Sequence, residues 1–169
     1  MPVTVDADGA IQLMEDMGEN SVDLSPVLAV IASDLLTFTD DRFQTGTDPT
    51  GQQWKPLSEA TKKRRRKGPR AGRSDTVLVD TSVLRNSITA VPGVSAILIG
   101  TNSVYAGAHQ FGNPANRFFG KTPAPIPARP YLPFSSATEV FDSGPSAELW
   151  EHFDNMIAHY IETGEILQR

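Results

Sequence analysis

The chain has 169 residues and no cysteine, which excludes disulfide frameworks, thiolate metal sites and cysteine nucleophiles. That length suits one domain with a single core and additional arms, and an apolar share of 39% with 13 Gly and 13 Pro points to long irregular segments that order against partners. The net charge of -5 is unevenly spread: nine acids and no Lys or Arg precede Arg42, eight of the 15 Lys and Arg fall between Lys62 and Arg73, and none occurs from Ser136 to Gln168.

Residues 1–22 carry Asp6, Asp8, Glu15, Asp16 and Glu19 with little apolar periodicity, so an acidic arm ordered by a partner is expected. They also lack the basic-then-apolar pattern of a secretory signal, and no apolar run approaches the roughly 20 residues of a membrane span, so a soluble intracellular chain is expected. Asp6-Ala7-Asp8-Gly9 opens like a calcium loop but lacks the later ligands and closing Glu. Ser25-Pro26, a hydroxyl cap before a proline, predicts a helix start. Leu24, Leu28, Ile31, Leu35 and Phe38, spaced by fours and threes, extend that helix to about Phe43, with a stop before Gly46. The turn-rich run Gly46 to Gly51 precedes Trp54, a large anchor for its loop. Ser58 is placed to cap a short helix that runs into the basic residues, followed by an exposed loop from Pro69 to Asp75.

Thr76 to Val79 reads as a short strand, and Asp80 or Thr81 as the cap of one helical turn through Leu84 and Arg85. Ser87 to Val91 and Val94 to Gly100 read as a β-hairpin turning at Pro92-Gly93. The consecutive apolar residues Ile97, Leu98 and Ile99 imply burial on both faces, by the long helix on one side and a neighbouring subunit on the other. Six prolines between Gly112 and Pro133 forbid helix and central strand, so residues 112–133 are expected to form an extended arm. Ala147 to Ile161 places Leu149 or Trp150, Phe153, Met156 or Ile157, and Tyr160 or Ile161 along one face of a last helix.

Little here carries catalytic chemistry. His109, His152 and His159 lack metal-pair spacing, and no nucleophile elbow accompanies the serines, so no catalytic residue, metal or cofactor is assigned. Lys62, Lys63, Arg64, Arg65, Arg66, Lys67, Arg70 and Arg73 have three readings: a solvated loop, a contact with an acidic partner, or sequence-independent DNA binding without stacking aromatics.

The ordered blocks Phe43, Gly46, Asp48-Pro49, Gly51, Trp54-Lys55-Pro56-Leu57-Ser58, Asp80-Thr81, Leu84-Arg85-Asn86-Ser87-Ile88, Ile99-Gly100-Thr101, Tyr105-Ala106, His109-Gln110-Phe111-Gly112 and Ile126 to Leu132 are then informative together. Over about Leu24 to Phe134 they resemble the Mu-like phage virion morphogenesis, or tail completion, family. Ser82 departs from the glycine common there, and the stretch Ser135 to Ser146 departs from the usual direct path into the last helix. The resemblance implies a non-enzymatic structural subunit of a virion neck or tail end, assembled in the host cytoplasm. It further implies a ring, sixfold in the first instance, that joins tail to head beside neck, adaptor and tail-terminator proteins. The rival is a DNA-binding or packaging accessory using the basic run.

The expected fold is therefore α+β: a long N-terminal helix packed on a small antiparallel sheet, a Pro-rich arm and an amphipathic C-terminal helix. The expected division is an acidic arm over 1–22, a domain over 23–134 containing the basic loop 62–75, and a helical segment over 135–169. Ile97, Ile99, Ile126, Arg129 and Tyr131 are the expected contacts with other copies, the arm docking on an adjacent subunit with Arg129 paired to an acid there. Trp54, Tyr105, His109 and Phe111 are the expected anchors of the loops and of the junction where the arm leaves the sheet.

Overall fold

The computed structural model describes residues 23–67, 75–114, 125–135 and 139–167. The acidic arm 1–22, Arg70 and Arg73, and the middle of the Pro-rich segment lie outside these. Helix α1 spans Ser25–Thr45. Its cap differs from the expected serine hydroxyl: Ser25 is already helical, and its N–H donates to Asp23 Oδ1 at 2.9 Å. The helix ends at Gly46, which takes a left-handed φ of 70° and donates its N–H to the Arg42 carbonyl at 2.9 Å, the backbone form glycine adopts without a Cβ clash.

The α1 stripe Val27, Leu28, Ile31, Leu35 and Phe38 meets Leu149, Phe153 and Met156 of α5, Pro145–Thr163, in a first core. Each such buried side chain is worth about 1.5–3 kcal/mol of transfer free energy. Trp150 flanks this core and donates its indole N–H to the Phe141 carbonyl at 3.1 Å. The start of α5 is set by Gly144, at φ 61°, where a Cβ would come within 2.2 Å of the Thr50 carbonyl oxygen. Ser146 N–H then donates to the Pro49 carbonyl, so the Gly46–Gly51 turns hold the segment that leads into the last helix.

Strands β1, Thr89–Pro92, and β2, Ile97–Gly100, pair antiparallel with Ala90 opposite Ile99 and Val91 opposite Leu98. The turn is longer than Pro92-Gly93: Pro92 still pairs with Ile97, and Gly93 N–H bonds the Ala96 carbonyl at 2.7 Å. Ile97 and Ile99 pack against the first core, whereas Leu98 is 76% exposed and Val91 58%. Within the chain the hairpin is thus buried on one face only, because α1 covers one side and nothing described lies over the other.

Thr76 to Val79 forms a turn rather than a strand. Leu78 sits at φ 60°, and Val77, Leu78 and Val79 lean on a second core instead of pairing with the hairpin. The following turn α3, Val83–Asn86, has Ser82 at its N-cap position, left-handed at φ 57° and without a side-chain cap bond; neither Asp80 nor Thr81 holds that place. A left-handed backbone here is one that glycine adopts without a Cβ clash, so serine holds it at a cost. Helix α2, Glu59–Arg66, is capped as expected, Ser58 Oγ accepting from Thr61 N–H at 3.3 Å. The architecture is the α+β arrangement of a long N-terminal helix, a small antiparallel sheet and a C-terminal helix.

Candidate interaction site

The second core gathers Phe43, Trp54, Leu84, Ala106 and Tyr131 from five separate stretches of chain. Phe43 stands edge-on to Trp54 at 5.7 Å between ring centroids and tilted against Tyr131 at 5.2 Å. Most of the blocks that resemble the phage family therefore contribute to one junction, although they are spread over 89 positions from Phe43 to Tyr131, while Ile99 packs on the first core.

Gln110, the last residue of α4, Ala106–Gln110, is 4% exposed and organises that junction. Its Oε1 accepts the backbone N–H groups of Tyr131 and Leu132 at 3.0 and 3.1 Å, and its Nε2 donates to the carbonyls of Leu132 and Phe134. One buried amide thus replaces the strand neighbour that an extended Pro-rich segment cannot find for itself. Arg129 N–H bonds the His109 carbonyl at 2.7 Å, and its guanidinium donates to the carbonyls of Lys55 and Pro56. Trp54 Nε1 donates to the Pro130 carbonyl at 2.8 Å.

Burial lowers the Arg129 pKa, helped by the nearby Arg65 charge, and pushes the Tyr131 phenol up to about 12. The Tyr131 hydroxyl donates to the Ala106 carbonyl at 3.4 Å. His109 is lowered by desolvation first and by Arg129 second, and its Nδ1 is buried without a partner. These groups lock backbone to backbone, and among the described residues no His, Asp and Glu side chains gather as a metal site.

The expected contact residues therefore divide. Arg129 and Tyr131 are engaged inside their own chain, at 7% and 1% exposure, so residues 126–134 dock at home rather than on a neighbour. The physical reason is that Gln110, Trp54 and Arg129 satisfy the backbone of this segment intramolecularly. Ile126 bridges Asn113 and is half-buried. Trp54 is buried, and Tyr105 stands against His109 at 6.0 Å, while Phe111 is 59% exposed among the described residues. Ile97 and Ile99 face the first core, which leaves Val91 and Leu98 as the uncovered side of the hairpin. The sequence marks Gln110, with Tyr105, His109 and Phe111, as a junction residue with an apolar body and a polar tip; its four bonds to the backbone of residues 131–134 are what the structure adds.

The basic run is partly neutralised from within. Lys62 pairs with Glu59 at 2.8 Å, Arg65 bonds the Thr76 carbonyl and lies 3.5 Å from Asp80, and Arg66 bonds Asp75. Arg85 forks onto Asp40 of α1, and this hydrogen-bonded guanidinium holds the carboxyl below its usual range. Lys63, Arg64 and Lys67 are exposed.

The phage virion morphogenesis family matches residues 5–142. The "putative capsid assembly protein G" of Escherichia phage Mu is 30% identical over 152 residues, covering 85% of this chain and 90% of that protein. The "Mu-like prophage FluMu G protein 2" of Haemophilus influenzae is 33% identical over 119 residues, covering 70% of this chain and 72% of its own length. An uncharacterized protein of Methanocaldococcus jannaschii is 29% identical over 106 residues, covering 60% of this chain and 70% of that protein. No solved structure matches the chain significantly. These likenesses define a phage structural or assembly protein. The chain belongs to the phage virion morphogenesis family. No described helix is long and apolar enough to cross a membrane.

Proposed function

We propose that this chain is a non-enzymatic structural subunit of a tailed-phage neck or tail end, and that it works by closing a ring, sixfold in the first instance, that completes the tail and joins it to the head. The observation that carries the ring is the uncovered hairpin face. Val91 and Leu98 are paired across β1 and β2 and exposed, over a shallow depression of about 630 Å³ that Ser87, Thr89 and Thr101 also line. Two-stranded sheets are marginal alone, and an exposed apolar strand pair with free edges is a surface that other chains complete. A contact that pairs this face with a different surface of the next copy is heterologous, and heterologous contacts close into rings when the rotation per subunit divides a full turn. The capsid-assembly name of the phage Mu relative supports a place among head-proximal proteins.

Substituting Val91→Ser with Leu98→Glu tests this. The circular dichroism of the variant should match the parent, while mass photometry and negative-stain images, with the neighbouring virion proteins present, should lose the ring. A ring of unchanged size would overturn the reading.

A further inference from the structure

We propose that the exposed basic side of α2 in one copy docks on the acidic outer side of α5 in the next copy. Lys63 and Arg64 stand in the last turns of α2 and Lys67 is the extended residue that caps its C-terminal end, all three exposed and, among the described residues, in no ion pair. Cations also suit the C-terminal end of a helix, so this side is a stable local concentration of positive charge. The remaining bases of the helix are held by Glu59, Asp75 and Asp80, which fixes the direction in which the free ones point.

The matching surface is on α5. At about 100° per residue, Glu148, Glu151 and Glu162 fall within roughly 60° of one another, with Asp154 at their edge. They lie opposite the side that buries Leu149, Phe153 and Met156. All four acids are exposed, and no ion pair among the described residues uses them. Between Glu151 and Glu162 the strip runs about 16 Å. The His152 imidazole on this helix turns inward to Asp34 of α1 at 3.7 Å.

One copy thus carries two unlike, complementary surfaces on different elements, which is the minimum a head-to-tail contact requires. Duplex DNA is the poorer occupant of the basic side. Among the described residues of the basic run, three unpaired cations give a small phosphate footprint, no aromatic side chain stands among them, and the chain as a whole carries a net charge of -5, which repels a polyanion. This contact rests on the ring reading and names the partner surfaces within it; its charges orient the encounter, while the hairpin face supplies the apolar burial.

The test is charge reversal with rescue in the full chain. Lys63→Glu with Arg64→Glu and Lys67→Glu should weaken self-association by about tenfold or more, as should Glu148→Lys with Glu151→Lys and Glu162→Lys. One chain carrying both sets should recover most of the loss, which misfolding of either parent variant would not produce. Carbodiimide coupling of a mixture of isotope-labelled and unlabelled wild-type chains should yield mixed-label cross-links from Lys63 or Lys67 to the α5 carboxylates. Rings indifferent to either reversal, or no rescue, would overturn this contact and leave the ring standing; a wild-type chain that never self-associates, alone or with its neighbours, would overturn both. Loss of duplex DNA binding with rings intact would transfer the basic side to nucleic acid and likewise overturn the contact.

Discussion

The indole N–H of Trp54 donates to the carbonyl of Pro130 across 2.8 Å, joining positions 76 residues apart. That bond holds the far end of the Pro-rich segment against the loop that leaves α1. Trp54→Phe keeps an aromatic ring beside Phe43 and Tyr131 but strands the buried carbonyl, so a loss of about 1–3 kcal/mol is expected. Trp54→Ala should cost more, about 3–5 kcal/mol, by emptying the second core. Urea unfolding with unchanged slope checks both, and equal stability of Trp54→Phe and the parent would show that the bond contributes nothing.

Ser82 provides a test in the stabilising direction. Its φ of 57° is the region glycine occupies freely, and a non-glycine residue there is strained by about 1 kcal/mol or more. Ser82→Gly should raise the unfolding midpoint modestly, while Ser82→Val should lower it because a β-branched side chain fits that backbone worst. A thermal scan in which glycine is the worse of the two would contradict the backbone reading.

The Asp40 carboxylate gains its partner only in the folded chain, where the Arg85 hydrogen bond lowers its pKa. A depressed folded value means that its contribution is complete above the unfolded pKa of about 3.9 and is lost as the pH falls through the lower folded value. With both side chains partly in solvent, the contribution is small, below about 1 kcal/mol. Asp40→Asn should therefore be slightly less stable than the parent at pH 7 and equal to it near pH 2. A gap that persists at pH 2 would assign the effect to packing instead.

His109 titrates in a different window. Burial and Arg129 lower its folded pKa, so the unfolded chain binds the proton first as the pH drops below about 6.5. Stability associated with neutral His109 is full above that value and declines as the pH falls toward the folded pKa. Histidine Hε1 shifts followed by NMR should show His109 titrating below the ordinary value of about 6.5. The pH dependence of stability between 7 and 5 should flatten in His109→Gln. A midpoint for His109 at or above 6.5 would sink this account.

Much of the frame was legible because it depends on local periodicity. The Leu28, Ile31, Leu35 and Phe38 spacing places one side of α1 against a core wherever that core lies, and Gly46 stops the helix through its own backbone freedom. Thr76 to Val79 misled because β-branched residues signal a strand only if a partner strand exists, and the hairpin ends at two strands. For Ile97 to Ile99 the apolar run placed one face against α1, where Ile97 and Ile99 pack on the first core, while Leu98 on the other face is uncovered within the chain.

Residues 126–134 mark the boundary between the two kinds of knowledge. Their prolines dictate an extended backbone with missing donors, and that is a property of the covalent chain. Which surface the extended backbone lies on was settled by Gln110, Trp54 and the Lys55 and Pro56 carbonyls, brought together from separate stretches by the packing of Phe43, Leu84 and Tyr131. Sequence order carries the secondary structure and the charge pattern because those are short-range, whereas the partner of an unpaired backbone is a long-range choice made only when the cores close.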